Sequence, residues 1–553
     1  MKSRKKQNQI WKQILLSLVC GIIPFVMCII RTAIDGKSIL DVYLPNSTWN
    51  DELLYYKLTE ACVHYGHPQG YFGFNESHAL VGGFAAWSPV LLIPWVLWGL
   101  LFGWNLLSPI LCNIAIMMLA MFVFGLIMKP NWKQVVCIAA LYAAFPVMTR
   151  FTLSGMPEVN MYALLLVIVA LMWDLTRRLA EVIYLRLVIL YVLIALLTLM
   201  RPYYILLFVG FVYFMNKVMS GRKAAICSGC CIAPVVVAYG IISHYLSAPY
   251  LTELFYTDWL TAYKDGVLAA LKYDVWKLLS SIRFVTMMML QKTPEGRLLA
   301  GSLYFLFLIS IALWLVLTII HKKVVVPFII SLQMLILTVC FLGADLMMYR
   351  LQEGGRHTIA FIFVTIMLLP FIARDAEATS VSSQEQKEYD EAFQLWNQNG
   401  NVSVWKTLLP SAIGTVVLVV TFLILGKLPY EFEIPYAKAE RVEEIEALHA
   451  VLEANIEVPI GAPSYENTII WPIWDTVNGE TVVFDWGMLY AVPAGMGINA
   501  CDGGYVAAQM ENLKCGYIAT MKGSDVDKWG RKNGKGLCDN SSITILRFFD
   551  ENP

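Results

Sequence analysis

The sequence predicts a polytopic α-helical membrane protein with a small α/β domain at its C-terminal end. Three observations predict it. The chain of 553 residues is 58% hydrophobic and only 15% charged, where a soluble globular protein carries roughly 25% charged residues. Its apolar residues gather in runs of the length that crosses a bilayer, about 20 residues. Residues 427–553 lose those runs and take on the mixed periodicities of a soluble domain.

The first run, Ile14 to Ile30, follows the basic stretch MKSRKKQNQIWKQ. A basic region before an apolar one also describes a signal peptide, but no small-residue cleavage site follows. An uncleaved first span, 10–30, with its basic end in the cytoplasm is expected. Further spans are expected at 105–128, 134–151, 158–175, 183–200, 202–216, 224–246, 299–320, 324–344, 357–373 and 407–426, about 11 in all with the first. The segment 88–103, SPVLLIPWVLWGLLFG, is short, contains Pro94 and is joined to the next helix by Trp104 and Asn105.

Charge decides how to treat it. If 88–103 lies along the interface, the loops with Lys129 and Lys133, with Arg177, Arg178 and Arg186, with Lys217, Arg222 and Lys223, and with Lys322 and Lys323 all fall on the side of the N-terminal KSRKK. That is the cytoplasmic side by the positive-inside rule. Four segments are then expected outside: the first loop (31–104), the turn SGMPEVN, the loop 247–298 and MYRLQEGGRH. The acidic, Ser/Gln-rich stretch 374–406 is expected to be a solvated cytoplasmic loop. The membrane domain is thus 1–426, and 427–553 is delivered outside. There VEEIEALHAVLEAN has helical periodicity, while NTIIWPI, TVVFDW, CGYIATM and SSITILRFF read as strands. This tail is expected to fold alone as a small α/β domain.

Several classes are excluded or left bare. A formal net charge of +0 offers no field for nucleic acid. Cys20, Cys28, Cys112, Cys137 and Cys340 lie in apolar runs and read as small buried hydrophobes. Cys501, Cys515 and Cys538 lie in the tail, where three thiols allow at most one bridge. His64, His67 and His78 share the first external loop, but their spacing is not a metal signature. The chain is compatible with a divalent metal, yet nothing indicates one, so no cofactor is assigned. The sequence also lacks GxSxG, P-loop, dinucleotide and kinase motifs. The sequons at Asn46, Asn75 and Asn540 carry no weight without the cell they are made in.

The candidate chemistry is acidic and basic residues at span ends. Asp51 and Glu52 in STWNDELLYYKL read either as the first turn of a helix capped by Ser47 or Asn50 or as carboxylates held at the membrane mouth. Glu158, at the top of a span in FTLSGMPEVNMYALLLV, is an interfacial acid or the second member of an acid pair with Asp51. Arg356 and His357 follow two glycines in YRLQEGGRH, where guanidinium and backbone N–H groups suit a phosphate; the alternative is an arginine snorkelling to headgroups. Arg201, in LMRPYY, is the other cation expected outside.

The order of these parts resembles the GT-C superfamily of membrane glycosyltransferases, such as protein O-mannosyltransferases and the aminoarabinose transferase of lipid A. WNDELLYYKL matches the position of that family's catalytic first-loop acid, which makes Asp51 the carry-over candidate with Glu52 beside it. The segment Ser88 to Gly103 resembles the family's juxtamembrane helix, with Ser88 where the first proline stands. Glu158 matches a second external acid that is commonly Asp. EGGRH is similar to a late arginine motif that holds the lipid phosphate, although many members have Arg-Tyr where this chain has Arg356-His357. The likeness is best over residues 1–170. It implies a plasma-membrane enzyme that moves a sugar, with inversion, from a polyprenyl-phosphate donor to an extracytoplasmic hydroxyl of a glycan, lipid or protein. Asp51, Glu52 and Glu158 would then be the catalytic set, and Arg356, His357 and Arg201 would bind the donor phosphate. Two rivals are a transporter or flippase, whose charges should lie within spans, and a scaffold displaying the tail, which needs only one or two spans.

Overall fold

The computed structural model describes residues 2–66, 72–74, 88–176, 183–246, 261–290, 298–320, 326–349, 351, 355–378, 433–456, 467–501, 506, 515–533, 535–539 and 542–547. Its helices are α1 (Lys2–Ile34), α2 (Asn50–Tyr65), α3 (Ile93–Phe102), α4 (Ser108–Met128), α5 (Trp132–Ala143), α6 (Pro146–Thr152), α7 (Val159–Thr176), α8 (Ile183–Met200), α9 (Phe208–Val218), α10 (Gly221–Tyr245), α11 (Val267–Met289), α12 (Leu298–Ile319), α13 (Phe328–Met348), α14 (Ile359–Ala378), α15 (Ala439–Asn455) and α16 (Asp525–Asn533). The strands are β1 (Phe72–Phe74), β2 (Thr468–Pro472), β3 (Trp474–Val477), β4 (Glu480–Val483), β5 (Gly497–Cys501), β6 (Tyr517–Met521), β7 (Lys535–Asp539) and β8 (Ile543–Arg547).

The chain is a polytopic helical membrane protein. Among the described residues, seven helices are long and apolar enough to cross a bilayer: α1, α4, α7, α10, α12, α13 and α14. An eighth candidate is the pair α5 and α6, bent by 74°. The break falls at Phe145, which leaves the helical region (φ −116°, ψ 70°), as the residue before a proline does. Two of the expected spans, 183–200 and 202–216, fall on shorter apolar helical stretches (Tyr184–Met200 and Pro202–Val218). Counting by length alone therefore gives seven or eight spans among the described residues, where about 11 are expected over the whole chain. The expected span 407–426, the stretch 379–406, Lys322, Lys323, Arg177 and Arg178 lie outside the described residues.

The placement of 88–103 follows from glycine packing. A Cβ added at Gly21 of α1 would meet Phe122 and Met118 of α4, and one added at Gly125 of α4 would meet Ser17 of α1. As the position on α1 decreases, that on α4 increases, so the two helices run antiparallel at close approach. The end of α1 near Ile34 is then level with the start of α4 near Ser108. The described elements between them, α2 and α3 included, stay at one end of the bundle. Trp95 Nε1 of α3 donates to Asn113 Oδ1 of α4 at 2.9 Å, which fixes the short helix against that end.

The same hydrogen-bond logic assigns the other connections. Asn113 Nδ2 also donates to Ser154 O and Met156 O in the turn before α7. Asn160 Nδ2 donates to Leu91 O, beside α3. At the opposite end Gln134, in the first turn of α5, donates to Pro370 O near the end of α14. These amides are buried and bonded, as interior polar groups are.

The tail forms a mixed sheet of order β1-β5-β2-β6-β8-β7, with β1, β5, β2 and β6 parallel and β8 antiparallel to its neighbours. The expected runs at β2, β4, β6, β8 and α15 are all present. One strand is not the tail's own: β1 comes from the first loop and pairs Phe72 with Ile498 and Phe74 with Ala500. The first loop and the tail also share the bridge Val42–Tyr436. The 3-10 turn Trp486–Ala491 packs on α2, where Tyr65 Oη donates to Ala494 O at 3.1 Å. Cys501 and Cys515 are buried in a small apolar cluster with Ile470 and Ile518. The side chain of Cys538 and the sequons at Asn75 and Asn540 are outside the described residues.

Candidate active site

The stretch that opens α2 places its two acids differently. The N-cap is Trp49, not Ser47 or Asn50. Ser47 still serves the helix start: its hydroxyl accepts from Trp49 N at 3.0 Å and donates to Glu52 Oε1 at 2.9 Å. Consecutive residues on a helix point about 100° apart. Asp51 therefore faces outward, its side chain 37% exposed, while Glu52 turns into the protein and is fully buried.

Glu52 is held from two elements. Arg150 Nη2 of α6 donates to Oε1 at 2.9 Å, and Gly155 N in the following turn donates to Oε2 at 3.0 Å. The Arg150 guanidinium lies 3.8 Å over the Trp49 ring, a cation–π contact that completes the packing of this charge. A Cβ at Gly155 would come 2.9 Å from Glu52 Cβ, so only glycine lets α2 approach the turn this closely. Arg150 carried no signal in the sequence. It reads as an ordinary arginine in an apolar run, and only the fold reveals its acidic partner.

The turn held by Glu52 carries Glu158. Its main-chain oxygen accepts from Met161 N and Tyr162 N, so Glu158 stands just before α7 and receives the helix's first bonds. Its side chain is buried, and Arg201 Nη2 donates to Oε1 at 3.4 Å. Oε2 is buried without a hydrogen-bond partner. Burial pushes the Glu158 carboxyl above the usual carboxylate range; the Arg356 and Arg201 guanidiniums oppose this, and the Asp51 charge adds to it. Tyr55, one turn after Asp51 on α2, and Tyr162, one turn into α7, are buried beside these charges. Sequence reading passed over both tyrosines, which are unremarkable residues in apolar runs.

Arg356 closes the constellation. It lies in the 3-10 turn Gly355–Thr358 that leads into α14, and its Nη1 donates to Asp51 Oδ2 at 2.5 Å. Its side chain is 28% exposed. His357 is buried beneath, its ring 5.4 Å from that of Tyr349. Of the six residues proposed from sequence, Asp51 and Arg356 meet at the open surface, and Glu158 and Arg201 form a buried layer with charges that act on them. Glu52 and His357 point elsewhere, into the packing. Among the described residues no group of three or more His, Cys, Asp or Glu could hold a metal ion. His67 and His78 are outside those residues.

A part-exposed carboxylate in contact with a guanidinium, over a second buried ion pair, can accept a proton at the surface and balance an arriving anion. The molecule is thus a multi-pass helical membrane protein with a mixed α/β domain joined to the end of the bundle that holds this charged site. No protein-family model matches the chain, and no curated protein matches it. Among solved structures it is similar to the crystal structure of the Archaeoglobus fulgidus oligosaccharyltransferase in complex with Zn and sulfate, at 12% identity and a TM-score of 0.46, over 92% of this chain and 68% of that chain.

Proposed function

We propose that this protein is a GT-C-type membrane glycosyltransferase, which moves a sugar from a polyprenyl-phosphate-linked donor to a hydroxyl on an extracytoplasmic glycan, lipid or protein. The observation that carries the reading is the contact of half-exposed Asp51 with Arg356 at one end of a membrane helix bundle. In this reading that end faces outward from the plasma membrane and the N-terminus faces the cytoplasm, the orientation that the Lys/Arg distribution along the sequence favours.

Asp51 is the base. The acceptor oxygen attacks the anomeric carbon, its proton passes to the Asp51 carboxylate, and the C–O bond to phosphate breaks with inversion. The leaving phosphate takes the electron pair and meets the Arg356 guanidinium, a charge placed where negative charge develops. In the free protein Arg356 holds Asp51 as its counter-ion. A donor phosphate competes for that guanidinium and frees the carboxylate for the acceptor. Glu158 and Arg201 form the layer beneath and set the field at Asp51. Glu52 and His357 position their neighbours. Because the donor stays in the bilayer, the site sits at headgroup level.

The test is initial rate against donor concentration at matched membrane expression. Asp51→Asn keeps the size but cannot accept a proton, and loss of general-base help costs typically about 10²–10⁴-fold in rate. Arg356→Ala is expected to raise donor KM instead, the signature of lost uniform binding. Near-normal rates for Asp51→Asn would overturn the assignment.

A further inference from the structure

The segment that carries Arg356 is anchored on one face of α12. Gly355 packs so closely there that a Cβ would come 3.0 Å from Ala300 Cα. One helical turn on, Tyr304 Oη lies 3.2 Å from Leu351 O. Ala300 and Tyr304 are four residues apart and share a helix face. They grip the segment at both described points, Leu351 and Gly355. Tyr304 also contacts Asp345 of α13, at 2.5 Å from Oδ2. Tyr304 and Asp345 are both fully buried, and Asp345 Oδ1 has no hydrogen-bond partner.

Proton counting decides what this chain is. A tyrosine hydroxyl has one proton, and a carbonyl oxygen only accepts. Two full two-centre bonds, one with Asp345 and one with Leu351, therefore form together only if the carboxyl supplies the second proton. The chain then reads Asp345 O–H to Tyr304 Oη, and Tyr304 O–H to Leu351 O. A neutral acid also suits an oxygen buried without a partner, since an isolated buried carboxylate is far costlier.

We infer that Asp345, held as the neutral acid, acts through Tyr304 as a positioning pair that fixes the Arg356 segment on α12. The effect on donor binding rests on the reading of Arg356 as the phosphate ligand; the positioning itself does not.

The experiment uses the full chain in lipid nanodiscs, with amide hydrogen exchange across 355–358 and binding of a polyprenyl monophosphate against the polyprenol of equal length. Tyr304→Phe is expected to raise exchange about three- to tenfold, the range that loss of one hydrogen bond gives, and to weaken monophosphate binding while leaving polyprenol binding unchanged. Asp345→Asn, whose amide can donate to Tyr304 as the neutral acid does, is expected to match the unmodified protein in both. Asp345→Leu should behave like Tyr304→Phe. Unchanged exchange in Tyr304→Phe would overturn the positioning role. Asp345→Asn as disruptive as Asp345→Leu would overturn the neutral acid. Raised exchange with unchanged monophosphate binding would uphold the positioning pair and count against Arg356 as the phosphate ligand.

Discussion

Two adjacent acids, Asp51 and Glu52, have opposite environments, and their variants should separate accordingly. Glu52 and Arg150 are both buried in one ion pair. Removing one partner of a buried pair leaves an uncompensated charge and costs about 3–5 kcal/mol. Glu52→Gln is therefore expected to lower thermal stability sharply, and the double variant Glu52→Gln/Arg150→Met to recover part of the loss. A loss of rate in Glu52→Gln without loss of stability would instead give it a chemical role. Glu158 supplies a pH test. Burial raises its carboxyl above the ordinary 4.5, so the folded state holds that proton more tightly than the unfolded chain. The stability it brings is complete below pH 4.5 and is lost as pH rises through the folded value. The stability of the unmodified protein minus that of Glu158→Gln should fall as pH is raised from 4.5, read from thermal unfolding in detergent. A difference that grows with pH would show the opposite shift.

At the scale of elements, the site is assembled by close approaches that glycine permits. Gly155 admits α2 to the turn before α7, within 3.0 Å of the Glu52 carbonyl oxygen for an added Cβ. Gly155→Ala is expected to cost about 1–3 kcal/mol by overpacking and to slow the proposed transfer by moving Asp51 relative to Glu158. Gly240 in α10, with open space around it and ordinary helical backbone, provides the control: Gly240→Ala should leave the Asp51 geometry alone and slow nothing. Equal effects of the two would separate the rate from the approach of α2. The α3 helix is locked in the same way. A Cβ at Gly99 would meet Val63 of α2 and Trp104, so α3 and the acid-bearing α2 pack as one layer.

The whole molecule is joined across the first loop and the tail. The sheet borrows β1 from residues 72–74, and Gly487 in the tail's 3-10 turn packs directly on Pro45 O and Arg441. The tail expressed alone would lack β1 and expose the turn with Trp486 and Leu489, both buried in the full chain. It is expected to unfold at a lower temperature than the intact protein, or to bind an apolar dye when native; a cooperative, dye-free fragment would count against this joint. The proposed orientation is tested by Thr48→Cys and Trp132→Cys on a background lacking the exposed Cys230 and Cys340. The two introduced thiols should label from opposite sides of the membrane.

The sequence by itself determined the class of this protein: long apolar runs leave few other solvents for such helices than lipid. Its charge asymmetry also grouped Asp51, Glu158, Arg201 and Arg356 at one end, where the fold places them. Period and charge are local properties, readable along the chain. Which neighbouring acid faces the surface was not legible, because Asp51 and Glu52 differ only in partners brought from residues 150, 155 and 356. The borrowed strand and the Asp345–Tyr304 pair were hidden for the same reason. A three-residue strand has almost no periodicity of its own, and a lone carboxyl in an apolar run shows its hydrogen-bond partner only once the helices that carry these two residues, 41 positions apart in sequence, are packed together.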